Sequence, residues 1–283
     1  MKLKKDIGMF KIITLSDSNY FDCGKLFLQT REIVKNHDIV LYGPDLTKKQ
    51  IKVLKNHNIS YKKVDKKQWD NEMQFMKFEM ILNELQEDTE KKYKGFLLID
   101  WDIFFVHDWS KLYDNDFDLC ITTRPHEIKS RIIRAYGCGG GFFFKHNAKK
   151  LFEYAQKVII NGGDKDIPEY DRIWKTLEIG RPKHKTITRK QKRWWQDQIV
   201  ISSIVLRFLE ERKYKAKFGI KPLFYNFNGF KIAFVSERNY NRIKSNARIT
   251  KEGRDIFIKH LQYHGRKQLV GPEKAKIKEK LNG

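Results

Sequence analysis

The chain has little of what marks secreted, membrane-spanning or zinc-bound proteins. It carries three cysteines in 283 residues, Cys23, Cys120 and Cys138. An odd number at wide separations excludes a disulfide framework and fits no zinc cluster, so reduced thiols are expected. No apolar run approaches the roughly 20 residues needed to cross a bilayer. The N-terminal Met-Lys-Leu-Lys-Lys-Asp is basic, but neither a signal-type apolar stretch nor a small-residue cleavage site follows it. These absences predict a cytoplasmic protein, with attachment at the membrane face as its only route to lipid. Internal repeats are missing too, and no convincing linker precedes the C-terminal tail. One domain over residues 1–270 and a basic tail over 271–283 are therefore expected.

Acids are outnumbered: 35 Asp+Glu stand against 58 Lys+Arg, for a net charge of +23. Such a surplus predicts attraction to nucleic acid, acidic lipid or an acidic glycan. A merely Lys-rich composition produces the same number without any such partner. What is plentiful is apolar: 40% hydrophobic residues with 13% aromatics exclude general disorder and provide for a sizeable core.

Periodicity organises this material. Met9 to Leu15 reads as a first strand, followed by a polar Ser-Asp-Ser-Asn loop and by Leu26, Phe27, Ile33 and Val34 at helical spacing. Asp38 to Tyr42 reads as a second strand closed by Gly43-Pro44, Lys48 to Asn56 as an amphipathic helix, and Ile59 to Val64 as a third strand. A helix over 72–86 comes next, then strand-like segments at 117–122 and 141–145 around a Gly-rich run. Helices follow over 148–160 and 196–209, separated by a loop-rich stretch at 161–193, and strands near 231–235 and 255–261 end the series. Strands alternating with helices predict an α/β domain with a mainly parallel sheet, whose ligands bind beyond the carboxyl ends of its strands.

The densest chemical signal lies in Gly95 to Val106, where Asp100 and Asp102 interrupt an otherwise apolar run. Four apolar residues on either side make the segment read as a buried strand whose end carries the acids. Buried charge needs a neutralising partner. Two carboxylates at i and i+2 leave a strand end on the same side, which suits a shared divalent cation. The plain alternative is a surface turn between two strands.

Further residues follow in a telling order. Thr14-Leu15 closes the first strand, with Ser16, Tyr20 and Gly24 after it; Lys77 interrupts the apolar face of Met73, Met76 and Met80; Gly139, Gly140 and Gly141 precede a short apolar strand; Trp194-Trp195-Gln196-Asp197-Gln198 opens a helix; and His260, His264, Gly265, Arg266 and Lys267 come last. In this order the chain resembles a GT-A fold glycosyltransferase, closest in motif order to the glycogenin-like family of retaining enzymes. The resemblance spans about residues 9 to 267 and is pattern rather than identity outside the motifs.

The resemblance implies a GT-A (nucleotide-diphospho-sugar transferase) fold, a single Rossmann-like mixed sheet flanked by helices. It implies that Tyr20 packs against the nucleotide base, its ring supplying the flat face that stacking requires, while backbone groups of Thr14, Leu15 and Ser16 read the base edge. Lys77, Asp100, Trp101, Gly139, Gly140 and Lys267 would complete the donor site. Cys138 stands where the family has asparagine, which leaves the donor sugar open. Asp197 and Gln198 would lie at the reaction centre. Asp100, Asp102 and a histidine would hold Mn²⁺ or Mg²⁺; His260 is favoured because it stands on a strand, with His264 competing because it directly precedes the glycine. Mixed carboxylate and imidazole ligands suit manganese better than calcium.

The basic surplus peaks between Arg181 and Arg193, just ahead of Trp194 and Trp195. Arg189, Arg193 and the two tryptophans would border the acceptor side, a mixture that suits a phosphate backbone with a stacked base or sugar. The acceptors that fit are an acidic glycan, a lipid-linked oligosaccharide at the membrane face, and DNA whose hydroxymethylated base is extruded from the helix. The expected activity is thus transfer of a sugar, from a UDP-sugar foremost, to a hydroxyl on an anionic acceptor. Two other classes compete: a metal-dependent nuclease or nucleotidyltransferase built on the same acids, and a non-catalytic nucleic-acid-binding protein.

Overall fold

The computed structural model describes residues 9–123, 137–160, 196–213, 216, 218–236, 240, 242–244 and 257–261. Eight strands form one mixed sheet: β1 (Phe10–Leu15), β2 (Asp38–Gly43), β3 (Ile59–Lys63), β4 (Gly95–Ile99), β6 (Leu119–Thr123), β7 (Gly137–Phe144), β8 (Leu223–Phe227) and β9 (Phe230–Ser236). Their order is β3-β2-β1-β4-β7-β6-β9-β8. β3, β2, β1 and β4 run parallel, and β7 is antiparallel to both of its neighbours. β5 (Ile103–Phe105), β10 (Arg242–Lys244) and β11 (Ile258–Leu261) make a smaller sheet in the order β10-β11-β5. A single mixed main sheet flanked by helices is the arrangement that the GT-A resemblance implies.

Strand alternation sorts the core into two layers. Ile13, Leu15, Phe96, Leu98, Phe142 and Phe144 face one side, where α3 (Lys66–Glu87), α4 (Lys149–Ile160) and α5 (Gln196–Glu211) pack. Phe10, Ile12, Leu97, Ile99 and Phe143 face the other. There they meet Phe27 of α1 (Lys25–Gln29), Leu54 of α2 (Lys48–Asn56) and the β5 residues Ile103 and Phe105. The amphipathic 48–56 helix is found within its expected bounds, opened by a capping box in which the Thr47 hydroxyl accepts from Gln50 N and Gln50 Oε1 accepts from Thr47 N.

Two expectations are corrected and one strand is added. Residues 95–106 are not one strand: the chain leaves the main sheet at Asp100 and re-enters strand geometry at Ile103 in the smaller sheet. A carboxylate has no place inside a ladder covered on both faces, so the Asp pair falls where the ladder breaks. The helix expected over 72–86 begins at Lys66, where the Asp65 side chain caps it by accepting from Gln68 N at 2.8 Å. β8 is an additional strand, joined to β9 through Asn228 and Gly229, both at positive φ (50° and 84°), as a two-residue hairpin turn demands.

Candidate active site

Strand order locates the site before any side chain is considered. The chain steps outward from β1 to β2 and β3 in one direction and returns to lay β4 on the opposite side of β1. The crevice beyond the carboxyl ends of such a pair is where doubly wound sheets bind ligands. Thr14 and Leu15 end β1 at that crevice with Ser16 just after them, and Asp100 follows β4 there. β7 contributes from the antiparallel direction. Its Gly141 pairs with Ile99, so Gly140 and Gly139 continue along the strand at the level of Asp100 and Trp101.

The Asp100–Trp101–Asp102 turn is buried rather than superficial. The Asp100 side chain is 26% exposed and Asp102 as a whole only 1%. Trp101 is a packing residue: its ring lies on Phe27 and Phe21, with centroids at 4.8 and 5.6 Å, and its Nε1 donates to the Phe21 carbonyl at 2.8 Å. Trp101 is 0% exposed as a whole, so its ring offers no free face to a donor. The same ring explains Gly24, because a Cβ there would lie 1.9 Å from Trp101 Cε2. The turn is thereby wedged between the core and the first loop.

Lys77 does not snorkel to water. Its side chain is 6% exposed, and Nζ lies 3.4 Å from Asp100 Oδ1. The helix that interrupts its apolar face with a lysine thus aims that lysine at the acid turn. In the smaller sheet, β11 pairs antiparallel with β5, setting His260 opposite Ile103, the residue after Asp102. Paired Cα atoms in such a ladder are about 5 Å apart, so the backbone of His260 is one residue from that of a buried acid. Among the described residues no three His, Cys, Asp or Glu side chains converge as a metal cage. The two carboxylates, one of them almost wholly buried, are nevertheless hard oxygen donors that suit a divalent cation.

The loop after β1 is tied down by its own carboxylate and by its neighbour. Tyr20 N donates to Asp17 Oδ1 at 2.7 Å, Ser18 N donates to Asp45 Oδ1 at 2.9 Å, and Gln50 Nε2 donates to the Ser18 carbonyl at 2.8 Å. Asp45 Oδ2 also accepts from Lys66 Nζ at 2.8 Å. The Lys66 ammonium first, and then the Ser18 amide, hold the Asp45 carboxyl below the usual range. Gly43 lets this loop sit close to β2, since a Cβ there would be 2.1 Å from the Ser16 carbonyl oxygen. Thr14 is fully buried at the base of the loop, and its Oγ1 has no hydrogen-bond partner among the described residues. Sequence reading missed Asp17, Asp45 and Gln50; the Thr47-x-x-Gln50 capping box was the legible signal for the last.

The other candidates are placed in backbone only or fall outside the described residues. Asp197 and Gln198 lie in the first turn of α5, the helix that packs on β7. His264, Lys267, Arg189, Arg193, Trp194 and Trp195 lie outside the described residues, as do the 181–193 run and the 271–283 tail. No helix among the described residues is long and apolar enough to cross a membrane.

No protein-family model matches the chain, and no curated protein sequence matches it. Among solved structures the chain is similar to galactosyltransferase LgtC in complex with donor and acceptor sugar analogues. That similarity covers 95% of this chain and 99% of the other, at 13% identity and a TM-score of 0.46.

Proposed function

We propose that the chain is a metal-dependent glycosyltransferase that moves a sugar from a nucleotide-sugar donor, a UDP-sugar foremost, to a hydroxyl of an anionic acceptor. The carrying observation is the buried Asp100–Trp101–Asp102 turn at the sheet's switch point, with the Lys77 ammonium 3.4 Å from Asp100 and the His260 strand paired alongside. The glycogenin-like motif order supports the remaining roles, retention of anomeric configuration among them.

A divalent cation, Mn²⁺ or Mg²⁺, held by Asp100, Asp102 and His260 would supply positive charge against the donor diphosphate. The chain's own groups do the rest. Thr14, Leu15, Ser16 and Tyr20 receive the nucleoside, and Gly139 and Gly140 give the donor sugar close access to backbone. Lys77 and Lys267 stabilise the charge that grows on the leaving diphosphate. In the transfer, the acceptor hydroxyl oxygen bonds to the anomeric carbon while the bond from that carbon to the diphosphate oxygen breaks. The electron pair leaves with the nucleoside diphosphate, whose leaving oxygen takes up the proton that the hydroxyl gives up. Asp197, assisted by Gln198, steadies the positive charge on the sugar or orients the incoming hydroxyl. The basic run with Trp194 and Trp195 supports an acidic glycan, a lipid-linked oligosaccharide or hydroxymethylated DNA as acceptor.

A thermal-shift panel of UDP, GDP, CDP, ADP and dTDP, each with and without Mn²⁺, tests this reading. A nucleotide at 100 times its dissociation constant stabilises by about 2.7 kcal/mol, a rise in melting point of about 5 °C. One nucleotide acting only with manganese is the expected outcome. No response to any of them contradicts the proposal and favours a basic binding protein.

A further inference from the structure

The geometry points to Asp45 and Gln50 as positioning residues for the nucleoside end of the donor, acting through the loop of residues 16–20. This inference rests on the donor-site reading above and adds residues that its motif order does not contain.

The loop after β1 consists of short polar residues ending in a tyrosine, a composition that has no fixed conformation of its own. In the structure its backbone is held from outside by the β2–α2 connection and the first turn of α2. Asp45 Oδ1 takes the Ser18 N–H at 2.9 Å, and Gln50 Nε2 donates to the Ser18 carbonyl at 2.8 Å, so both polar groups of one peptide residue are gripped. Asp17 Oδ1 then takes the Tyr20 N–H, which fixes the backbone that carries the ring. The outer oxygen of Asp45 holds Lys66, the first residue of α3, and the same helix carries Lys77 to Asp100 three turns later. Asp45 therefore links the Tyr20 loop to the helix that serves the acid turn. A ligand that stacks on a preordered ring does not bear the cost of ordering it, and that saving appears as affinity.

Gln50 allows the positioning role to be separated from a structural one. Its Oε1 completes the capping box of α2 by accepting from Thr47 N at 2.9 Å, while its Nε2 alone reaches the loop. Gln50→Glu preserves the box, for which glutamate serves as well, and removes the donor to Ser18. Melting temperature should therefore stay unchanged while nucleotide affinity falls.

The experiment is calorimetric titration of the full chain, in Mn²⁺, with whichever of UDP, GDP, CDP, ADP or dTDP binds the wild type best, and separately with pyrophosphate. Gln50→Glu and Asp45→Ala should weaken the nucleotide by on the order of fivefold or more, about one net hydrogen bond. Pyrophosphate, which lacks the nucleoside, should bind them as it binds wild type. Three results overturn the inference: Gln50→Glu binding the nucleotide like wild type while Tyr20→Ala loses affinity, equal weakening of nucleotide and pyrophosphate, or a fall in melting temperature that accounts for the lost affinity. Failure of the wild type to bind any of the five nucleotides overturns both this inference and the donor-site reading.

Discussion

Glu84 is the clearest test of the energetics that hold α3, and hence Lys77, against the sheet. Its carboxylate is fully buried, with Oε1 accepting from Tyr42 Oη at 2.5 Å and from Lys62 Nζ at 2.8 Å, and Oε2 paired with Lys11 Nζ. Burial alone would raise its pKa, but hydrogen bonds from Lys11, Lys62 and Tyr42 outweigh it and hold the carboxyl below its ordinary value. Glu84→Gln keeps the shape, removes the charge and turns one acceptor into an N–H facing a cation. Removing one partner of a buried pair costs about 3–5 kcal/mol. The Lys11 and Lys62 side chains are 14% and 32% exposed and can turn partly to water, which places the cost at the low end, about 3 kcal/mol. In thermal unfolding followed by circular dichroism, that is a fall in Tm of about 6 °C or more. The pH signature has a definite sign. A folded pKa below the unfolded one means that the unfolded chain binds more protons in the interval between them. The stabilisation is thus complete above about pH 4.3 and is lost as pH falls through the folded value, so wild type and variant should converge in acid. A loss under 1 kcal/mol at neutral pH, or curves that stay parallel into acid, would refute the reasoning.

Other variants probe other contacts. Gly24→Ala drives a Cβ to within 1.9 Å of the Trp101 ring, and should cost at least about 1–3 kcal/mol with a changed near-ultraviolet tryptophan signal. His37 is buried between Phe10 and Trp109, and that burial lowers its pKa despite nearby acids. Because the unfolded chain takes up the proton first, stability should decline as pH falls below about 6.5, by up to 1.4 kcal/mol per unit; His37→Phe should flatten that slope in denaturant titrations. Lys77→Met, at a buried position, should leave Tm within a few degrees of wild type while weakening nucleoside diphosphate far more than nucleoside, as read by calorimetry.

The parallel half of the fold was legible because each strand there is a short apolar block punctuated by helical periodicity, as in Asp38 to Asn56. The acid pair was legible for the same reason, since charge inside an apolar run stands out. What it does to the chain was not: that β4 and β5 belong to different sheets depends on long-range pairing with β11, which periodicity does not encode. Trp101 looked like a ligand residue beside the acids, yet its ring completes the core through Gly24, a contact set by tertiary packing. Glu84 reads as an ordinary polar position of a helix, and only the approach of Lys11 and Lys62 from β1 and β3 makes it a buried hub. The β8–β9 hairpin is a different case, because Asn228-Gly229 is a turn signal carried by the local sequence itself.

The central claim is that Asp100 and Asp102 hold a divalent cation against a nucleotide. It is met most directly by electron paramagnetic resonance of Mn²⁺, titrated with the full chain in the presence and absence of UDP, for wild type and Asp102→Asn. The account predicts that the free-manganese signal is depleted by wild type, more strongly with UDP, and that Asp102→Asn abolishes the depletion while its circular dichroism remains that of wild type. Equal depletion by the folded variant would contradict it.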